Sequence, residues 1–154
     1  MMGIEFNLDR AHAYAEKHST CEKVHVGALI VTKDGINIHG CNNGVMNCRK
    51  YGCRRVRLYG ENSKIHRLPS DCDALHSEVD AICKAAQRGV KLENATMYVT
   101  RYPCEACARA IGASGIKKVY YGRNEDISEY TKLILESYGV EIEKVNWTEE
   151  DDNA

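Results

Sequence analysis

Two short runs in this 154-residue chain hold side chains able to bind a metal and move protons: His76-Ser77-Glu78 and Pro103-Cys104-Glu105-Ala106-Cys107. Cys104 and Cys107 stand three apart at what reads as a helix start, so both thiolates face one side. Pro103 suits that start, because its missing N–H would find no helical partner there. The positive helix end also favours thiolate over thiol. His76 opens a second helix and brings a neutral imidazole to another positive end. Two thiolates and one imidazole form a three-ligand zinc site with the fourth position left for water, the arrangement of catalytic zinc. The thiolates offset the charge of Zn²⁺ and blunt its acidifying effect; two helix N-termini aimed at the site restore part of it. Glu78 is too near His76 in sequence to ligate comfortably beside it and is well placed to shuttle a proton. C-x-x-C alone would equally serve a structural zinc knuckle or a redox pair; both halves in this order argue for catalysis.

The elements that must position these residues read as α/β. Asn7 to Lys17 has helical spacing with Leu8, Ala11 and Ala15 on one side. Val24 to Thr32 is rich in β-branched residues, and Asp34-Gly35 signals a hairpin turn into Ile36 to His39. His76 to Arg88 reads as a helix with Val79, Ile82, Cys83 and Ala86 on its apolar side, stopped by Gly89. Strand and helix then alternate: Ala95–Thr100, Cys104–Ala113, Lys117–Tyr121, Ile127–Tyr138 and Val140–Val145. That alternation predicts crossovers and parallel pairing after an antiparallel opening, hence a mixed sheet.

With 44% hydrophobic and 28% charged residues, the chain fits one compact domain, 1–148, followed by an acidic tail, 149–154. No run approaches the length of a membrane span. The opening residues lack a basic head followed by an apolar stretch, so the expected location is cytoplasmic, with reduced thiols. Eight Cys are then better used as metal ligands than as disulfides, with Cys41 and Cys83 expected as buried packing. Residues 42–75 interrupt the alternation as an inserted loop rich in Cys and His. Between Arg49 and Arg67 stand seven Lys/Arg and one Glu, net +6, while the whole chain carries −1. The run is either a solvated loop or a phosphate-facing surface. Near-neutral overall charge gives no reason to expect nucleic acid as a partner.

His76-Ser77-Glu78 with Pro103-Cys104-Glu105-Ala106-Cys107 resembles the signature of zinc nucleobase deaminases. With Ser19-Thr20-Cys21, Val26-Gly27-Ala28, Ala95 to Thr100 and Ser114 to Tyr121, it resembles the deoxycytidylate (dCMP) deaminases of the cytidine deaminase superfamily, over residues 19–145. The resemblance implies a three-layer α/β/α fold with a mixed five-stranded sheet, and conversion of dCMP to dUMP with release of ammonia. It also implies homo-oligomers, usually hexamers, with dCTP and dTTP as effectors. Glu78 would carry protons to N3 of the ring and to the leaving group. Cys21, Cys48, His66 and Cys72 correspond to positions that hold a second, structural zinc in some members, with Cys53 as the alternative thiolate. Asn42 stands where the family has a substrate-contacting Asn, although Gly40-Cys41-Asn42-Asn43-Gly44 departs from the usual G-Y-N-G. Ser77 and Asp80 replace the usual Ala and Asn, and Tyr102 is larger than the residues common there. Asp80 is expected outside the pocket. Asn42, Ser77, Tyr102, Arg54 and Arg55 are the candidate substrate contacts. Rival readings are a deaminase of dCTP, of another nucleoside or base, or of a base in RNA, and a non-enzymatic zinc scaffold that binds nucleotides.

Overall fold

The computed structural model describes residues 3–60, 72–123 and 128–148. Of the features expected from sequence, His66, the acidic tail 149–154 and Ile127 lie outside the described residues. The elements run α1 (Ile4–His18), β1 (Gly27–Val31), β2 (Asn37–Cys41), α2 (Cys48–Tyr51), α3 (Arg54–Tyr59), α4 (Ser77–Arg88), β3 (Thr96–Arg101), α5 (Glu105–Ser114), β4 (Lys118–Arg123), α6 (Glu129–Ser137) and β5 (Glu141–Lys144). The five strands form one sheet in the order β2-β1-β3-β4-β5. β1 pairs antiparallel with β2 and β3, whereas β3–β4 and β4–β5 are parallel. The mixed α/β sheet is therefore as the alternation requires, because each parallel step needs a crossover helix. No described helix is long and apolar enough to cross a membrane.

One face of the sheet carries α1, packed on β1, β2 and β3. Leu8, Ala11 and Ala15 are fully buried there, the stripe that the spacing predicts. α1 closes on β1 at Gly27, where any Cβ would collide with the Ala11 carbonyl. The other face carries the main core. Ala28, Ile30, Ile38, Met97, Val99 and Val119 of the strands meet Ala81 and Ala85 of α4, Ala108 and Ile111 of α5, and Leu135 near the end of α6.

The apolar stripe expected on α4 holds only in part: Ile82 packs partly buried against the core and Val79 is half-buried. The helix buries Ser77, Glu78, Asp80, Ala81 and Ala85, while Cys83 and Ala86 are exposed. Gly40 of β2 explains this: a Cβ there would collide with the Ser77 carbonyl and the Ala81 backbone, so the helix lies with its small residues directly on the strand. Cys83 points away from that contact and is not packing, whereas Cys41 is 1% exposed, as expected. The inserted segment also has more order than its sequence suggests, with two short helices, α2 and α3. Asn47 caps α2 through its side chain, which accepts the Arg49 N–H at 3.0 Å. An antiparallel bridge, Asn43↔Leu75, closes the segment at its base, immediately before His76.

Candidate metal centre and active site

Two helix starts build the centre. His76 is the N-cap of α4 and Cys104 the N-cap of α5, so each ligand stands at a positive helix end. The Cys104 sulfur accepts the Cys107 backbone N–H at 3.5 Å, which orients both thiols on one turn. His76 Nδ1 lies 3.5 Å from Cys104 Sγ and 3.4 Å from Cys107 Sγ. A tetrahedral Zn²⁺ with ordinary Zn–S and Zn–N bonds separates such N and S atoms by about 3.6 Å. Spacing and donor set both fit zinc, and among the described residues this is the one group of three such side chains gathered closely enough to hold a metal.

The electrostatics agree with a thiolate-bearing site. Cys104 is drawn down to about 4, first by the Cys107 thiol that donates to it and then by His76 and the Cys107 backbone N–H, against the opposing effect of burial. His76 is raised, chiefly by its hydrogen bond to Cys104, against burial. Cys107, 1% exposed, is held far above its ordinary range by the hydrogen bond to Cys104 and by burial. Zinc uptake at this site therefore requires the Cys107 proton to leave.

Glu78 is the second residue of α4 and is 4% exposed. The Ser77 hydroxyl, fully buried, donates to Glu78 Oε1 at 2.6 Å. Ser77 thus faces the carboxylate rather than open space. The turn before Cys104 is fixed from α6, where the buried Thr131 hydroxyl donates to the Pro103 carbonyl at 3.2 Å.

A cavity of about 450 Å³ opens beside His76 and is lined also by Asn42, Arg54, Arg55 and Arg101. Cys21, Cys48, Cys53 and Cys72 line the same cavity. Burial raises the Cys48 thiol, and the charges of Cys53, Cys21 and Cys72 add to this. Asn42 uses its amide on the chain itself: Oδ1 accepts from Ser19 Oγ at 2.6 Å and from Val26 N at 3.0 Å, and Nδ2 donates to the Val24 carbonyl at 2.7 Å. Arg54 pairs with Asp73 at 3.5 Å, and Arg55 bears on His76 as a nearby positive charge. Tyr102 is not among the lining residues; its ring packs edge-on against Tyr121, 4.9 Å between centroids. Asp80 is likewise outside the cavity. It accepts the Cys41 backbone N–H at 3.0 Å and pairs with Lys84 at 2.8 Å, so its charge is answered within the α4–β2 seam.

Sequence reasoning missed Thr131 and Arg101. Alternation along β3 holds the signal for Arg101, since it shares the sheet face of Met97 and Val99, the face covered by α4 and α5.

Comparison with known proteins gives this geometry a family. The model of the cytidine and deoxycytidylate deaminase zinc-binding region matches residues 2–123. The deoxycytidylate deaminase of Mycobacterium phage D29 is 38% identical over 124 residues, 76% of this chain and 91% of that protein. That of Enterobacteria phage T2 is 39% identical over 105 residues, 65% of this chain, which spans 56% of the T2 protein. The crystal structure of the cyanophage S-TIM5 dCMP deaminase in complex with dCMP and dUMP superposes with a TM-score of 0.66 at 27% identity, over 90% of this chain and 93% of that one. The chain belongs to the cytidine and deoxycytidylate deaminase family.

Proposed function

We propose that the chain hydrolyses dCMP to dUMP and ammonia, using one zinc at His76, Cys104 and Cys107. The observation that carries this is the three-ligand cluster at zinc spacing with the buried carboxylate of Glu78 two residues from His76. Bound zinc supplies a Lewis acid that brings the acidity of water toward neutral pH. Glu78 takes a proton from the attacking water, delivers it to N3 of the ring, and passes the second to the departing amino group. Ser77 holds one oxygen of that carboxylate and leaves the other to move the proton. Asn42 shapes the sugar side of the cavity, and Arg54 and Arg55 bring positive charge to the nucleotide. The buried helix junction excludes bulk water from Cys107 and Glu78, which strengthens every charge interaction within it.

A second, structural zinc belongs to the same reading, held by Cys21, Cys48, His66 and Cys72, with Cys53 as the alternative third thiolate. Its support is that Cys21, Cys48, Cys53 and Cys72 line one cavity, beside helices α2 and α3, which bury no residue of their own. Assembly into homo-oligomers, hexamers by resemblance, and control by dCTP and dTTP rest on the family resemblance alone. A cytoplasmic location, with reduced thiols available to a metal, belongs to the same reading.

The test is ammonia release from cytidine, deoxycytidine, CMP, dCMP, dCTP and guanine by the purified chain. The highest kcat/KM should fall on dCMP. A preference for dCTP, a nucleoside or guanine would replace the substrate, and no release from any would favour the nucleotide-binding scaffold.

A further inference from the structure

Resting on the reading of the cavity as a cytosine-nucleotide site, we propose that Arg101 is a specificity-determining residue that holds the 5′-phosphate of the substrate. Arg101 ends β3 and lines the same cavity as His76, Asn42 and Arg55. β3 pairs parallel with β4, and open parallel sheets take their ligands at the carboxyl ends of the strands. Cys104, three residues further on, is a metal ligand, so Arg101 is anchored by the turn that places the metal. Alternation puts its side chain on the α4/α5 face, where the helix N-termini carrying His76 and Cys104 also lie.

Cations gather in the described lining of the cavity: Lys23, Arg54, Arg55, Arg57 and Arg101, with Arg54 paired to Asp73. Arg54, Arg55 and Arg57 sit on α3, a helix of two turns within the inserted segment. Arg101 is the cation of this set that comes from the sheet, where ladder hydrogen bonds fix its backbone. A planar guanidinium on a rigid strand is suited to bidentate contact with phosphate, which a cytosine nucleoside lacks. Arg123, its register partner on β4, does not line the cavity. That difference supplies an internal control of the same charge and strand position.

The experiment compares R101Q, R101K and R123Q with the wild type on dCMP and on deoxycytidine, with zinc content measured for each. R101Q should raise KM for dCMP about twentyfold or more, leave kcat within about threefold, and change deoxycytidine turnover by less than about twofold. R101K should recover part of the loss, inorganic phosphate should protect the wild type better than R101Q against thermal unfolding, and R123Q should behave as wild type. Equal losses on both substrates, or unchanged KM for dCMP, would overturn the assignment of Arg101 while leaving the dCMP reading intact. A wild type that prefers deoxycytidine to dCMP would overturn both.

Discussion

The Ser77 hydroxyl donates to Glu78 Oε1 at 2.6 Å, and both side chains are buried in the first turn of α4. A hydroxyl at this position is more than filler for a small site: it holds the Glu78 carboxylate, the group we propose carries the protons, in one rotation. Removing it in S77A should lower kcat by about tenfold, the worth of one hydrogen bond to a charged group of about 1.5 kcal/mol. KM and zinc content should stay unchanged. E78Q keeps the shape and loses the proton carrier, so kcat should fall by about a thousandfold with zinc still bound. Steady-state kinetics with metal analysis of the same preparations checks both.

The Asp80–Lys84 pair should matter for stability. Asp80 anchors the end of β2 to α4 through the Cys41 N–H, with 6% of its side chain exposed. D80A leaves that backbone donor without its acceptor and takes from the Lys84 ammonium one of two, the Tyr14 hydroxyl remaining at 3.0 Å, and should cost about 2 kcal/mol. K84M in the D80N background should recover much of it. Urea unfolding of the three variants measures the difference.

His39 sets a pH dependence on the α1 face. Burial lowers its pKa from the ordinary 6.5, and Arg10, Lys84, Arg88 and His18 add to this. Its ring stacks on Tyr14 at 4.9 Å. The unfolded chain therefore takes up a proton at higher pH than the folded one. Stability should be full above pH about 6.5 and fall as the pH drops below that value toward the folded pKa. H39F should flatten the denaturation midpoint between pH 7.5 and 5.5; an unchanged slope would remove His39 as the cause.

Metal analysis of the purified chain should give more than one zinc per chain. C48S should remove one equivalent and leave the other, whereas C104S should remove the catalytic equivalent. A stoichiometry of one in the wild type would dismiss the second site.

Much of this was legible in the amino-acid sequence because it depends on local spacing. The Cys104/Cys107 pair and His76 are placed by two helix starts, and each start is marked by the residues around it. Leu8, Ala11 and Ala15 were legible for the same reason. The α4 stripe was not, because a single glycine across the sheet, Gly40, decides which side of the helix goes inward. Apolar periodicity pointed to Val79, Ile82, Cys83 and Ala86, of which Ile82 packs partly buried against the core, while close approach buries Ala81 and Ala85 fully. Cys83 followed the wrong side. Arg101 was hidden because a cavity exists only once β3, α3 and the α4 start are brought together. The helices α2 and α3 escaped notice because neither is long enough to show a period.

Zinc at His76, Cys104 and Cys107 is what we propose makes this chain a dCMP deaminase. The most direct measurement is ammonia release from dCMP by the purified chain before chelation, after removal of its metal, and after return of Zn²⁺. Turnover should vanish with the metal and return with it in the wild type, and should not return in C104S. Turnover that survives complete metal removal, or zinc-loaded protein that leaves dCMP untouched, would contradict the account.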